Sequence, residues 1–257
     1  MLKVLYINAT IQPSYGEVCR RETEQRLRSS QAAKKRGLQF ISYDMFYGDA
    51  QRPGNMGRFA REHSVDAVIL SGSDKNTTDR EDPWVQEYLA GLKDLLEVPR
   101  DPLEWAGPPC PILGICFGHQ ALACVLGGET SRFQGKVDVA ELTPFSSARR
   151  HPVLKSLYRD SPTRKLRMIV YHADHVVRVP DDFCPLLTSD YCVIQAMAHR
   201  DWPIVSFQPH PEMGSSLLEI EGEEKEWARW PNAKAELDRQ DGPAVLAGFA
   251  DWVATIR

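Results

Sequence analysis

PILGICFGHQALACVLGG, Pro111–Gly128, decides how this chain folds. An apolar run stops at Gly114, Cys116 stands between Gly114 and Gly118, and a helical pattern starts at once. A buried strand that turns straight into a helix through G-x-C-x-G has the form of a nucleophile elbow, the thiol counterpart of G-x-S-x-G. The sharp turn strains its central residue, and small neighbours let the backbone pass close by. The thiol then projects at the carboxyl end of a strand, where function collects in doubly wound sheets.

Working outward, apolar strands alternate with helical patterns through the first half. KVLYINA (3–9), LQFISYDM (38–45), DAVILSG (66–72) and PCPILGIC (109–116) read as strands. Between them, Glu17–Arg36, NMGRFAREHS (55–64) and WVQEYLAGLKDLLEV (84–98) read as helices. Continuous apolar strands separated by helices predict a parallel sheet covered on both faces, an α/β fold. Lys34, Lys35 and Arg36 end a helical pattern before Gly37, where positive charge complements a helix C-terminus.

The second half changes character. KVDVAEL (136–142), KLRMIVYHAD (165–174), YCVIQAMAH (191–199) and WPIVSFQPH (202–210) are closely spaced strands, which predicts antiparallel additions at one side of the sheet. GPAVLAGFADWVATI (242–256) reads as a closing amphipathic helix. The charged stretch between Glu221 and Asp241, with Trp227 and Trp230, reads as an exposed helical insertion, either a docking surface or a solvated decoration. No linker cuts the chain, so residues 1–257 are expected to form one domain, with a core to about 214 and the insertion and closing helix over 215–257.

Composition excludes several classes. A net charge of −4 gives no electrostatic case for nucleic acid or a membrane surface. No run approaches the roughly 18 apolar residues of a membrane span, and the first residues read as a strand rather than a signal peptide. The six cysteines form no C-x-x-C pair and lie mostly in apolar runs, which predicts reduced thiols in a cytoplasmic compartment. No motif calls for a metal or an organic cofactor.

A thiol of ordinary pKa near 8.5 is only a few per cent ionised at neutral pH. A helix N-terminus offers an anion about 0.3–1 kcal/mol, up to about 2 when partly buried, so Cys116 needs an imidazole as well. His210 supplies a candidate in IVSFQPHPEMG, clamped between Pro209 and Pro211 after a strand, with Glu212 placed to orient the ring and stabilise its charge. The Ser71-Gly72-Ser73 turn ends another strand and can aim a backbone N–H at the same crevice. With the N–H of Phe117 it would form a two-donor oxyanion hole.

These pieces, in this order, resemble the class I (triad) glutamine amidotransferase domain, from the first strand to about Gly214. GICFGHQ matches the family's nucleophile motif, and SFQPHPE its histidine–glutamate motif. LSGSDKN resembles the oxyanion loop, and YHADHV resembles a segment of the GMP synthetase amidotransferase domain. The resemblance implies a three-layer α/β/α, flavodoxin-like sheet, mostly parallel with antiparallel additions. It implies that Cys116 attacks the side-chain amide of glutamine to give a γ-glutamyl thioester and ammonia, with His210 shuttling protons and Glu212 behind it. Gln120 would hold the glutamine backbone end, in a pocket lined by Gly72, Tyr171, Ala173 and Asp174, while His119 and His172 would be structural.

The sequence departs from the family pattern at Ser73, usually glycine, at Asp74, usually proline, and at Ala173, usually glycine. Asp74 would either disfavour the thiolate or be held by Lys75. With no G-x-x-x-x-G-K loop for ATP, the first expectation is an amidotransferase subunit that passes ammonia to a separate synthase. The alternative is a stand-alone hydrolase of γ-glutamyl or related amides using the same triad. A non-enzymatic remnant fits poorly with Cys116, His210 and Glu212 all present.

Overall fold

The computed structural model describes residues 1–46, 53–97, 110–220, 222, 225, 227, 230 and 232–256. Strand β1 (Leu2–Asn8) lies between β2 (Leu38–Asp44) and β3 (Ala67–Leu70), parallel to both. Its side chains alternate as a strand's must: Leu2, Val4 and Tyr6 enter one core, Leu5 and Ile7 the other. β4 (Ile112–Ile115) and β9 (Ile204–Phe207) extend the parallel run, in the order 2-1-3-4-9. That is the flavodoxin-like order, with its crevice at the carboxyl ends of the strands.

Beyond β9 the pairing turns antiparallel, through β8 (Ala196–His199), β7 (Phe183–Thr188), β5 (Glu129–Pro144) and β6 (Leu166–Arg178), completing a nine-stranded sheet. The expected antiparallel additions are therefore present, but β7 has no counterpart among the expected strands and β8 begins later than YCVIQAMAH suggests. Pro185 stands at a register shift of the β7–β8 ladder, as a proline that cannot donate to a ladder does. Ser189 and Cys192 instead close a turn through Ser189 N–H to Cys192 O at 3.0 Å.

Helices cover both faces. α1 (Pro13–Arg28) and α2 (Gln31–Arg36) lie with the closing helix on one side; α3 (Met56–Glu62), α4 (Pro83–Leu96) and α5 (Phe117–Val125) lie on the other. The single helix expected over Glu17–Arg36 is two, because the Ser30 hydroxyl accepts the Ala33 N–H at 3.0 Å and starts a new helix. Lys34, Lys35 and Arg36 occupy the last turn of α2, and Gly37 follows at φ +77°. Among the described residues no helix is long and apolar enough to cross a membrane.

Of the charged stretch, Gly222, Lys225, Trp227, Trp230 and 232–241 are described, and the remainder of that expectation lies outside the described residues. Within it, α6 (Ala233–Asp238) precedes α7 (Gly242–Ile256). The reading of this stretch as an exposed surface is corrected at its tryptophans. Trp227 is fully buried with Val18, Cys19, Ile169 and Met213, and half-buried Trp230 packs on the same cluster. Trp230 also lines the cleft described next.

Candidate active site

The elbow forms as the glycines require. Cys116 closes β4 and caps α5 at φ 49°, ψ −102°, a strained conformation for a residue with a Cβ. Its N–H donates to Phe207 O at 2.8 Å, and the Gly118 N–H donates to Ser71 O at 3.2 Å. A Cβ on Gly118 would stand 2.6 Å from Leu70 O, and one on Gly114 2.9 Å from the Gly118 carbonyl. Gly118→Ala is therefore expected to cost about 1–3 kcal/mol through overpacking, together with most activity, read by urea unfolding and by turnover.

β9 delivers the imidazole. The His210 N–H donates to Ile169 O at 2.8 Å, and His210 Nδ1 pairs with Glu212 Oε1 at 2.7 Å, both side chains buried. A Cβ on Gly72 would lie 2.9 Å from His210 Cε1 and 3.6 Å from Cys116 Cβ, so the imidazole edge and the thiol's carbon meet at that glycine. Burial opposes charge on the ring, but the Glu212 carboxylate and the Cys116 thiol more than offset it and hold His210 up to about 10. The other nearby imidazoles go the opposite way. Burial lowers His119 to about 3 and His172 to about 4, and it lowers His175 as well. His119 Nδ1 meets Ser206 Oγ at 2.8 Å and His172 Nδ1 meets Asp174 O at 2.9 Å, so both are held as neutral structural rings.

Thiol and imidazole line one cleft of about 700 Å³, together with Ser73, Phe117, Tyr171 and Ala173. The Cys116 thiol donates to Tyr171 O at 3.7 Å and accepts from Gln208 Nε2 at 3.7 Å. In the first turn of α5, where N–H groups lack intrahelical acceptors, Gly118 donates to Ser71 O, and Gln120 makes the helix's first own bond, to Cys116 O. No acceptor among the described residues takes the Phe117 or Ser73 N–H. The Ser73 hydroxyl anchors its loop to Ala9 O at 2.6 Å and receives the Lys75 N–H at 3.1 Å. Asp74 is held by the Ile11 N–H at 2.8 Å, whereas Lys75 pairs with Asp82. The expectation that Lys75 would hold Asp74 is corrected accordingly.

Gln120 and Asp174 also line the cleft, but both are engaged within the chain. The Gln120 amide donates to Asp174 O at 2.8 Å and Gln208 Oε1 at 3.3 Å. The Asp174 carboxylate accepts from the Thr78 N–H at 2.9 Å and from Arg132 Nε at 2.8 Å. These two build the pocket wall, and Thr78 and Arg132 are contributors that no motif marked.

A second group without a sequence signature braces the His210–Glu212 pair from behind. Arg26 of α1 donates from Nε to Glu212 O at 2.9 Å and from Nη2 to Met213 O at 3.0 Å, while Glu22 pairs with it at 3.1 Å. Gln240 adds a donor to Met213 O. Arg26→Met keeps the apolar stem but frees the segment carrying Glu212. Turnover is expected to fall about tenfold to a hundredfold, as for a misplacement of about 1 Å, and the alkaline limb of the pH–rate profile is expected to move to lower pH. An unshifted limb would make Arg26 a contributor to stability alone. Among the described residues no group of three or more His, Cys, Asp or Glu is arranged for a metal ion.

The sheet order, the elbow and the cleft at the strand ends together define an α/β protein built around a cysteine at a nucleophile elbow. The model of the class I glutamine amidotransferase family matches residues 44–226, and the chain belongs to that family. It is 40% identical over 107 residues to a glutamine-hydrolysing GMP synthase subunit of Methanothermobacter thermautotrophicus, covering 40% of this chain and 52% of that one. It is 32% identical over 145 residues to the corresponding GMP synthase subunit of Methanopyrus kandleri, covering 54% and 73%. The chain thus spans about half the length of the first of these curated relatives. Among solved structures, a glutamine amidotransferase of Thermotoga maritima superposes with a TM-score of 0.65 at 18% identity, covering 98% of this chain and 97% of that one. A glutamine amidotransferase from Methylobacillus flagellatus gives 0.58 at 20%, covering 99% and 92%. At such identities these two attest the fold.

Proposed function

We propose that this protein hydrolyses the side-chain amide of glutamine and passes the ammonia to a separate synthase. The observation that carries the reading is the strained elbow thiol Cys116, set against a buried His210–Glu212 pair that favours a charged imidazole. The thiol gives its proton to His210, and the sulfur attacks the amide carbon. The Ser73 and Phe117 N–H groups stabilise the oxyanion. His210 returns the proton to the departing nitrogen, leaving a γ-glutamyl thioester and ammonia. Water, deprotonated by His210, then cleaves the thioester to glutamate. Glu212 stabilises the imidazolium throughout. The substrate's glutamyl end lies toward Gln120, Ala173 and Asp174, and Gly72 leaves room for the ring. No step calls for a cofactor.

The synthase partner is supported by the names of the relatives and by the tethering of the oxyanion loop. Asp74 ties that loop to Ile11, an apolar side chain 37% exposed beside the cleft. A protein docked on Ile11 would therefore act directly on the Ser73 N–H, and a donor shifted by about 1 Å changes the rate by roughly a hundredfold. Glutamate formation by the chain alone is expected to be slow, and a cognate synthase with its acceptor is expected to raise it more than about tenfold. Hydroxylamine should intercept the thioester as the γ-glutamyl hydroxamate. Failure to form glutamate or hydroxamate from glutamine, alone or with a synthase, would sink the reading.

A further inference from the structure

We infer that Arg132 is a positioning residue of this site, a clamp that holds the loop between β3 and α4 against the pocket wall at Asp174 and so sets how tightly the substrate is held. The assignment rests on the reading proposed above. Arg132 belongs to neither the elbow nor the His210–Glu212 motif, and its side chain is not part of the cleft lining. It acts through Asp174, which is.

The Asp174 carboxylate is 1% exposed. A carboxylate so buried persists as a charge only when it is both paired and hydrogen-bonded. Among the described residues Arg132 is the one cation paired with it, from Nε to Oδ1 at 2.8 Å. The Thr78 N–H and hydroxyl donate to Oδ2 at 2.9 and 2.8 Å. The same guanidinium turns Nη2 to Thr78 Oγ1 at 2.9 Å and to Asp79 Oδ1 at 2.8 Å. Its planar fork thus joins two neighbouring loop residues to a carboxylate of β6, which a single ammonium could not span. The first half of that loop is tied elsewhere, by Ser73 to Ala9 O and by Asp74 to the Ile11 N–H. Arg132 supplies the tie for the second half.

Its place on β5 is fixed as well. Arg132 stands opposite Asp174 in the β5–β6 ladder, and Lys136 opposite His172, so Phe133, Gln134 and Gly135 bulge against Ala173 alone. A bulge of this kind re-aims side chains beside a site, and Gly135 turns it at φ +86°. Gln134, Gly135 and Lys136 come back to line the cleft, while the Phe133 ring packs on His172 and Tyr191 at 5.8 and 5.9 Å. Arg132 is therefore carried by the last regular pair before the bulge. What it holds passes straight to the pocket, because the Gln120 amide donates to the Asp174 carbonyl at 2.8 Å and the Thr77 hydroxyl stands 3.4 Å from both Gln120 Oε1 and Asp174 Oδ2. Arg132 is 51% exposed, so shortening it opens no core cavity.

The test measures kcat and KM for glutamine separately, in the full chain and in Arg132→Gln, Arg132→Lys and Asp79→Asn, with thermal unfolding of each. Arg132→Gln is expected to raise KM about tenfold, the scale of one charged hydrogen bond lost from a pocket. Its kcat should fall by less than about threefold, as for binding shared by ground and transition states. Arg132→Lys keeps the charge at Asp174 but not the fork, and Asp79→Asn cuts only the outer branch, so each should raise KM about threefold. The saturation constant for inactivation by a glutamine-mimicking electrophile should rise in the same order, with its limiting rate little changed. Should Arg132→Gln fail to fold, the other two variants carry the test. An unmoved KM, or a fall in kcat as large as the rise in KM, would overturn the inference and leave the triad reading standing. No glutamine turnover by the native chain, alone or with a synthase, would overturn the reading on which it rests.

Discussion

Replacing Cys116 with serine is expected to abolish glutamine turnover, by at least about 10⁴-fold, while leaving the fold in place. A serine hydroxyl fits the space of the thiol but does not ionise near neutral pH, so His210 has no anion to release toward the amide. A glutamine-mimicking electrophile should label Cys116 and leave the other cysteines unmodified. Burial pushes the thiol of Cys19 well above its ordinary range and that of Cys192 up to about 12, which removes their nucleophilic form. Cys110 is buried, and half-buried Cys184 is turned onto Ala198 O at 3.6 Å. The serious competitor is Cys124, which is partly exposed and receives a hydrogen bond from Arg80 Nη2 at 3.1 Å. Peptide mapping that found the label chiefly on Cys124, or unimpaired turnover by Cys116→Ser, would remove Cys116 from its role.

The parallel half of the sheet was legible because its strands are buried on both faces. Ala67–Leu70 and Ile112–Ile115 are apolar at every position but Gly114, as strands covered by helices on both sides must be. β5 was legible only from Lys136, since its first residues, Glu129–Gln134, are polar apart from Phe133 and largely open to water. β7 was hidden by Pro185. The candidate site was legible for a related reason. An elbow is a local device, and Gly114, Cys116 and Gly118 lie within one turn of chain, as do His210 and Glu212. Arg26 carries no such mark, because an arginine on an amphipathic helix reads as a solvated face, and its acceptor at Glu212 lies 186 residues away. Arg132 and Thr78 meet Asp174 across gaps that are also long. Trp227 misled in the opposite direction, because its charged neighbours made a core residue look like part of a surface.

His210 carries the second large expectation, and the competing rings make it decisive. His210→Ala is expected to lower kcat by about 10⁴-fold, near the upper end of acid–base catalysis, whereas His172→Ala and His175→Ala should cost less than about tenfold. The two latter rings are held neutral by burial, so neither can serve as the acid near pH 7. Removing His210 also leaves Glu212 buried without its partner, and Glu212 Oε2 has no donor among the described residues. Breaking such a pair costs about 3–5 kcal/mol, so the alanine variant needs a companion that keeps the fold. Glu212→Gln removes the charge while retaining an acceptor for the ring, and its kcat should fall about a hundredfold. Stability against pH separates these roles. The folded ring keeps its proton up to about 10, against an ordinary value near 6.5. Its contribution is therefore complete below about pH 6.5, falls by up to about 1.4 kcal/mol per pH unit above that, and is gone beyond about 10. Urea unfolding at pH 6 and pH 9 should show that decline in the native protein and a smaller one in Glu212→Gln. An equal decline in both would deny the carboxylate its part in charging the ring, and equal losses of turnover at His172 and His210 would move the proton shuttle to a different imidazole.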